Sequence, residues 1–373
     1  MVARSPSLTS LQVLGIWAPH TAALIAPLLA LGYLLSAPHA PWLAVLWFVI
    51  PGTAIQLADR YSGRKTGSPH PDIPAWPFDI LLAVLVAVQF ANIALLLRVV
   101  AAQGLWSLDS LGAILLVGGS SGYSGIVVAH ELIHRESPRL QWVGRAILCT
   151  VLYEPFYTEH LRGHHLRVAT PEDPATARFG ETFNHFYFRT VPAQFKSAWQ
   201  LETKRLGDES MRLGDRRVLR NRVLHGLVAQ AALLFAIGVT CGVSALAAFV
   251  LQAVFASRAL EVVNYFEHWG LIRAERRVRP VDSWDCDSRF TYYALTGLTR
   301  HADHHAYASR PYQALRPQPD APMLPRGYIA LFPLVIGRNA TFRRLATEEL
   351  QRRRLGPFAE IAEPEQAARE VRA

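Results

Sequence analysis

A chain of 373 residues, 51% apolar and with a net charge of +9, has the length of two soluble domains. Its apolar residues are nevertheless bunched into long runs, and its mean hydropathy is above zero. Three distant cysteines, Cys149, Cys241 and Cys286, form no C-x-x-C pair, which argues against a disulfide framework, an iron–sulfur cluster or a built-in thiolate electron carrier. The arginines lie between and after the apolar runs, with no compact basic unit interleaved with aromatics. The charge therefore points to membrane lipid and not to nucleic acid.

Leu11 to Leu35 is the first long apolar run, broken only by Pro19, His20 and Pro27, and it meets the roughly 20 residues needed to cross a bilayer core. With a lone Arg4 before it and no convincing small-residue cleavage site after it, it reads as a retained span and not a signal peptide. Pro41 to Ala58 is a shorter candidate interrupted by Pro51-Gly52, and Phe78 to Val100 is the cleanest. Leu108 to Ala129 is rich in small residues, Gly118-Gly119-Ser120-Ser121-Gly122, that allow close helix packing. From Arg135 to Arg222 the chain turns polar and arginine-rich, although Val143 to Tyr153 is apolar enough to lie at the interface. Leu224 to Val239 and Val243 to Val263 form a hairpin around Cys241-Gly242. The tail from Leu355 onward is expected to be mobile.

The sequence thus predicts one all-α integral membrane domain over residues 1–373. Its six transmembrane helices lie at about 11–35, 41–58, 78–100, 108–129, 224–239 and 243–263, with site segments at 130–222 and 264–340 and a mobile tail at 355–373. Six spans put both termini on one side. Arg60, Arg64, Lys65, the Arg135–Arg222 segment and the tail share that side, while the opposing loops near Pro38–Ala40, Gln103–Leu108 and Cys241 hold almost no basic residues. The positive-inside rule makes the basic face cytoplasmic.

Nine of the fourteen histidines gather on that face. They are His130 and His134; His160, His164 and His165; His268; and His301, His304 and His305. Imidazole is the commonest metal ligand, and nine is a surplus for one zinc but suits two metals. Residues three and four apart share a helix face, so each pair can aim two nitrogens at one point, and His165 turns about 100° from His164 to serve a second metal. A lone His-x-x-x-His is commonly surface; four such clusters at one depth and one side call for a shared site. His130-Glu131-Leu132-Ile133-His134 also matches the zinc-protease motif, which leaves six histidines unexplained. Glu131, Glu159, Glu267 and Asp303 are expected to hold imidazole N–H groups from outside the ligand shell. His20, His39, His70, His185 and His225 are isolated and read as structural or solvent-facing.

With these clusters in view, the chain resembles the integral-membrane alkane 1-monooxygenases, within the membrane fatty-acid desaturases and hydroxylases. The residues that carry the resemblance are His-Glu-Leu-Ile-His-Arg at 130–135 and Glu159-His160-Leu161-Arg162-Gly163-His164-His165, running on into Val168–Pro174. Asn264-Tyr265-Phe266-Glu267-His268 and Arg300-His301-Ala302-Asp303-His304-His305 follow, then Arg310, Tyr312, Gln313 and Leu324–Tyr328. The resemblance implies a cytoplasmic, histidine-rich cap with two non-haem irons ligated by the nine histidines. It also implies dioxygen, a hydrophobic substrate, and electrons from a rubredoxin or ferredoxin with its NAD(P)H-dependent reductase. The reaction implied is insertion of one oxygen atom into a terminal C–H bond at a bacterial inner membrane.

Departures occur at Trp269, where the family has tyrosine, at Trp284–Ser288, and at Thr296-Gly297 and Thr299, which replace a tyrosine–histidine pair and a glutamine. They imply a divergent substrate, and an alkyl-aromatic methyl group of xylene or cymene type is one alternative. A lipid desaturase is the nearest rival. A histidine-rich transporter or sensor would place its ligands within the spans, and a membrane zinc protease would need a single zinc.

Overall fold

The computed structural model describes residues 8–212 and 214–359, so the expected mobile tail lies outside the described residues from position 360. Among the described residues the chain is helical, with only two isolated β-bridges, Arg64 to Ser288 and Asp285 to Met323. Five helices are long and apolar enough to cross a membrane: α1 (Ser10–Ser36), α2 (Pro41–Tyr61), α3 (Trp76–Gln103), α4 (Leu108–Ile133) and, after two intervening helices of more than ten residues, Arg222–His268. The intervening ones are α5 (Pro138–Thr150) and α6 (Phe183–Arg205), so Arg222–His268 is α7. Then come α8 (His301–Ala306), α9 (Tyr328–Gly337) and α10 (Asn339–Arg353).

Local chemistry sets the ends of these helices. Thr9 and Gln12 form a reciprocal capping box at the start of α1, Ser107 accepts from the Ser110 N–H at α4, and Asn221 accepts from Val223 and Leu224 at α7. Inside α1 the stretch Ala18–Leu24 tightens to a 3₁₀ turn after Pro19, as expected where a proline removes a helical donor.

The two final expected spans fall within α7. Gly242 has φ 83° and ψ 170°, a conformation open to glycine alone, and it breaks the helix there. Eight residues along a straight helix rise ~12 Å, yet Leu246 Cδ2 lies only 3.4 Å from where a side chain on Gly238 would begin. The chain therefore turns back on itself at Gly242.

The small residues of α4 do what the sequence suggested. A methyl group at Gly122 would sit 2.8 Å from Ala259 Cβ, and one at Gly118 would sit 2.9 Å from Phe255, so α4 and α7 meet at backbone distance. Their outer faces, with α2, expose Ile50, Val49, Phe235, Val239 and Val243, the surface of a multi-pass membrane protein facing lipid. Opposite ends of the same helices enter a core built on Phe266, Trp269, Trp284, Tyr328 and Phe342. All nine clustered histidines lie at this end.

Candidate metal centre

Four segments carry the histidines. The last turn of α4 carries His130 and is followed directly by His134; the Phe156–Arg167 turn carries three; α7 ends in His268; and α8 is almost wholly His301-Ala302-Asp303-His304-His305. Folding brings all nine together in two groups. His130, His134, His160, His165 and His304 form one, and His164, His268, His301 and His305 the other, with one ligand atom from each residue lying within 4.8 Å of those of its group.

Within the first group, Nε2 of His160 lies 3.0 Å from Nε2 of His134 and 3.0 Å from Nε2 of His165, and His304 Nε2 lies 3.2 Å from that of His165. In the second, His301 Nε2 lies 3.1 Å from that of His268 and 3.0 Å from that of His305. The rings of His165 and His305 stack at 4.4 Å and join the two groups.

The helical spacing read from the sequence pairs His160 with His164, and here the structure differs. Residues His160–His164 form a π turn. A turn wound i→i+5 closes five residues apart, so His165 and not His164 returns to His160. Likewise His304 joins the first group while His301 and His305, four apart, stay in the second.

The carboxylates expected around the ligands also behave differently. Glu131 is bound by Arg135 at 2.8 Å, Glu159 by Arg167 at 2.7 Å, and Asp303 by Arg310 and by Gln318 at 2.6 Å. Each sits next to a histidine in sequence and so points about 100° away from it around the helix, into the arginine-rich shell. Glu267 alone of the four touches an imidazole. Its Oε2 lies 3.3 Å from His301 Nε2, on the ligand side of that ring, while Oε1 accepts from the Tyr328 hydroxyl at 2.6 Å.

Two carboxylates not picked out as site residues act instead. Asp173 Oδ2 accepts from His164 Nδ1 at 2.9 Å and from Thr176 at 2.6 Å. Although burial opposes its charge, His164, Thr176 and the Ala175 N–H hold Asp173 below the usual carboxylate range. An ionised carboxylate only accepts, so Nδ1 of His164 carries a proton. The signal was in the sequence, inside the family-like stretch Val168–Pro174. Asp285 accepts from the Ala302 N–H at 2.7 Å and fixes the first turn of α8. The isolated histidines lie elsewhere: His39 on Asp109, His185 on Glu181 and His225 on the Leu219 carbonyl.

Burial, then repulsion between neighbouring imidazoles, pushes His134, His160, His165, His301, His304 and His305 well below the ordinary histidine range. These rings are therefore neutral at pH 7, the protonation state in which imidazole binds a metal. Buried ring nitrogens His130 Nε2 and Nδ1 of His165, His268, His301 and His305 have no hydrogen-bond partner.

An apolar cavity of about 460 Å³ lies between α1, α2, α4, α7 and α9, walled by Ala26, Trp47, Phe48, Gly119, Phe255 and Phe332 among others. The α4 residues Leu116, Ser120, Tyr123 and Ser124 line it. One turn further along α4, Val127 and His130 line a small second cavity with His304, Thr296, Leu298 and Tyr312. An apolar chamber and the imidazoles thus lie along a single helix.

A sheaf of apolar helices closed at one end by two buried imidazole groups, each able to hold a metal ion, defines a multi-pass membrane protein with a candidate metal-binding end. The fatty acid desaturase family model matches residues 105–334. Over 314 residues the chain is 35% identical to Alkane 1-monooxygenase 1 of Pseudomonas aeruginosa, covering 81% of each chain. It is 33% identical over 295 residues to Alkane 1-monooxygenase 2 of Alcanivorax borkumensis, covering 76% of each. It is also 26% identical over 235 residues to the xylene/toluene monooxygenase hydroxylase component of Pseudomonas putida, covering 60% of each. The chain belongs to the fatty acid desaturase family, in its alkane 1-monooxygenase branch.

Proposed function

We propose that this chain is a six-crossing monooxygenase of the bacterial inner membrane. It hydroxylates the terminal methyl group of an alkane or alkyl-like molecule to a primary alcohol, using dioxygen, two electrons and two non-haem irons on the cytoplasmic side. The observation that carries the reading is the pair of adjoining imidazole groups, with an apolar cavity and the smaller His130-lined cavity following one another along α4. The reversal at Gly242 supports the sixth crossing, and the arginine-rich loops at the histidine end support its cytoplasmic side.

The donor set fits a metal. With imidazole nitrogens about 2.1 Å from an ion, neighbours lie ~3.4 Å apart on a tetrahedron and ~3.0 Å on an octahedron. The observed separations of 3.0–3.2 Å between neighbouring nitrogens are of that order, and imidazole suits iron among other metals. His130, His134, His160, His165 and His304 would hold one iron. His164, His268, His301 and His305 would hold the other, with Glu267 within reach. Bound there, the irons would supply the activation of dioxygen that attack on an unreactive C–H bond requires.

The polypeptide supplies the rest. Cavity walls of α1, α2, α4 and α7 take a lipid-dissolved chain and orient its methyl end along α4 toward His130, and their apolar lining excludes water from the reacting carbon. Electrons come from a rubredoxin or ferredoxin and its NAD(P)H-dependent reductase. The surface around Arg162, Trp142 and Arg222 suits such an acidic carrier; Tyr157 lines it too, and the neighbouring Phe156 ring stacks at 4.6 Å on His160.

A second reading, hydroxylation of an alkyl-aromatic methyl group, is favoured by the likeness to the xylene/toluene hydroxylase component. Whole-cell conversion of octane, hexadecane, xylene and p-cymene, with His304→Ala as control, separates the two. A terminal alcohol from the linear alkanes supports the first reading, and an alcohol from xylene or cymene alone supports the second. An alkene with no alcohol points to desaturation.

A further inference from the structure

Thr296 is held where its sequence alone would not put it. The short helix Arg289–Ala294 ends at Leu295, and the Gly297 N–H bonds back to the Tyr292 carbonyl at 2.8 Å. That six-to-one bond makes Thr296 the left-handed residue of a helix-ending turn, a place normally filled by glycine or asparagine. Its φ is 42°, an outlier for a β-branched side chain. Strained backbone of this kind persists only where the surroundings hold it, and it concentrates at functional sites.

The surroundings are specific. A methyl group at Gly297 would lie 2.8 Å from the Tyr312 carbonyl oxygen, so the turn is pressed against another residue of the small cavity. Thr296 itself lines that cavity beside His130 and His304. It is 4% exposed, and its Oγ1 has no hydrogen-bond partner. A buried hydroxyl is normally satisfied. The cavity offers about 10 Å³ to the centre of a water-sized molecule, room on the order of one diatomic or one water.

We infer that Thr296 belongs to the oxygen-binding pocket, where its hydroxyl donates a hydrogen bond to dioxygen held against His130 and His304. This rests on the metal-centre reading above and adds a residue to it. The strained turn aims the only side-chain hydroxyl among that cavity's described lining residues other than Tyr312, and Tyr312 directs its own toward the Phe78 carbonyl at 3.5 Å.

The test uses the full-length ferrous protein with nitric oxide as a dioxygen surrogate. The N–O stretch of the wild type is expected to shift in D₂O. In Thr296→Val, which keeps the shape and backbone strain but lacks the hydroxyl, that shift should vanish and the frequency should change, while Thr296→Ser stays close to the wild type. Hydrogen peroxide released per electron pair should rise roughly tenfold in the valine variant, the size expected for one lost hydrogen bond. A wild-type stretch indifferent to D₂O, or one identical in Thr296→Val, overturns the inference whatever the stability of the variants. Failure of the wild type to form any ferrous nitrosyl complex sinks the metal-centre reading itself, and with it this inference.

Discussion

Replacing Asp173 by asparagine tests whether the two imidazole groups are separate metal sites. The Asp173 carboxylate is buried and accepts three hydrogen bonds, from His164 Nδ1 at 2.9 Å, Thr176 at 2.6 Å and the Ala175 N–H at 3.2 Å. Asparagine keeps the shape and an accepting oxygen but loses the charge that stabilises the His164 ring. A hydrogen bond to a charged group contributes about 1.5–3 kcal/mol, a factor of roughly 10–150 in an equilibrium constant. Outer partners of metal-bound histidines weigh in at a similar 10–100-fold. His164 stands only in the second group, so Asp173→Asn should weaken iron binding at that site by about that factor and leave the first site unchanged. Iron retained per chain across a chelator series gives the two affinities, and a melting curve of the metal-free protein controls for folding. Unchanged affinity at both sites, or equal loss from both, would refute the assignment of His164 and Asp173.

Stability of the metal-free protein should depend on pH in one direction. Burial holds His134, His160, His165, His301, His304 and His305 below 6.5, the ordinary histidine value, so below that pH the unfolded chain binds more protons than the folded one and stability falls as pH falls. Asp285, which burial pushes up to about 7, adds stability as pH falls through 7, but the six rings outnumber it, so melting temperatures should drop below about pH 6; a melting temperature that rises on acidification below that contradicts this. Gly119→Leu projects into the apolar cavity and should cut conversion of hexadecane about tenfold or more while sparing iron content, with equal conversion by variant and wild type as the opposing result. Glu267→Gln should lower iron retention at the second site, and retention equal to the wild type would remove Glu267 from the centre. Carrier-supported turnover should fall with added salt; indifference to ionic strength counts against the arginine-rich docking face.

Legibility of the sequence differs between fold and site. Long apolar runs announce the membrane helices because a bilayer imposes a minimum length on each, and Gly118 and Gly122 announce a close helix contact because nothing larger fits against Phe255 and Ala259. The reversal at Gly242 was readable from one glycine in a short turn. The clusters of His130 and His134, and of His301, His304 and His305, stand out because a helix has a fixed period. The grouping of His160 with His165 was not readable, because a π turn has no local sequence signature and is set by packing. Nor were the partners of Glu131, Glu159 and Asp303 read: each finds an arginine close in sequence, Arg135 four residues on, Arg167 eight and Arg310 seven, and only the first of these has a fixed helical spacing. Thr296 was noticed only as a departure, and its hydroxyl acquires meaning once the turn at φ 42° sets it beside His130 and His304.

The most direct measurement of the whole account is the metal content of the full-length protein purified from membranes. The account predicts about two irons per chain, a number that one ion cannot supply to two imidazole groups facing separate points. One zinc with no iron, or a single iron that fills both groups, contradicts it.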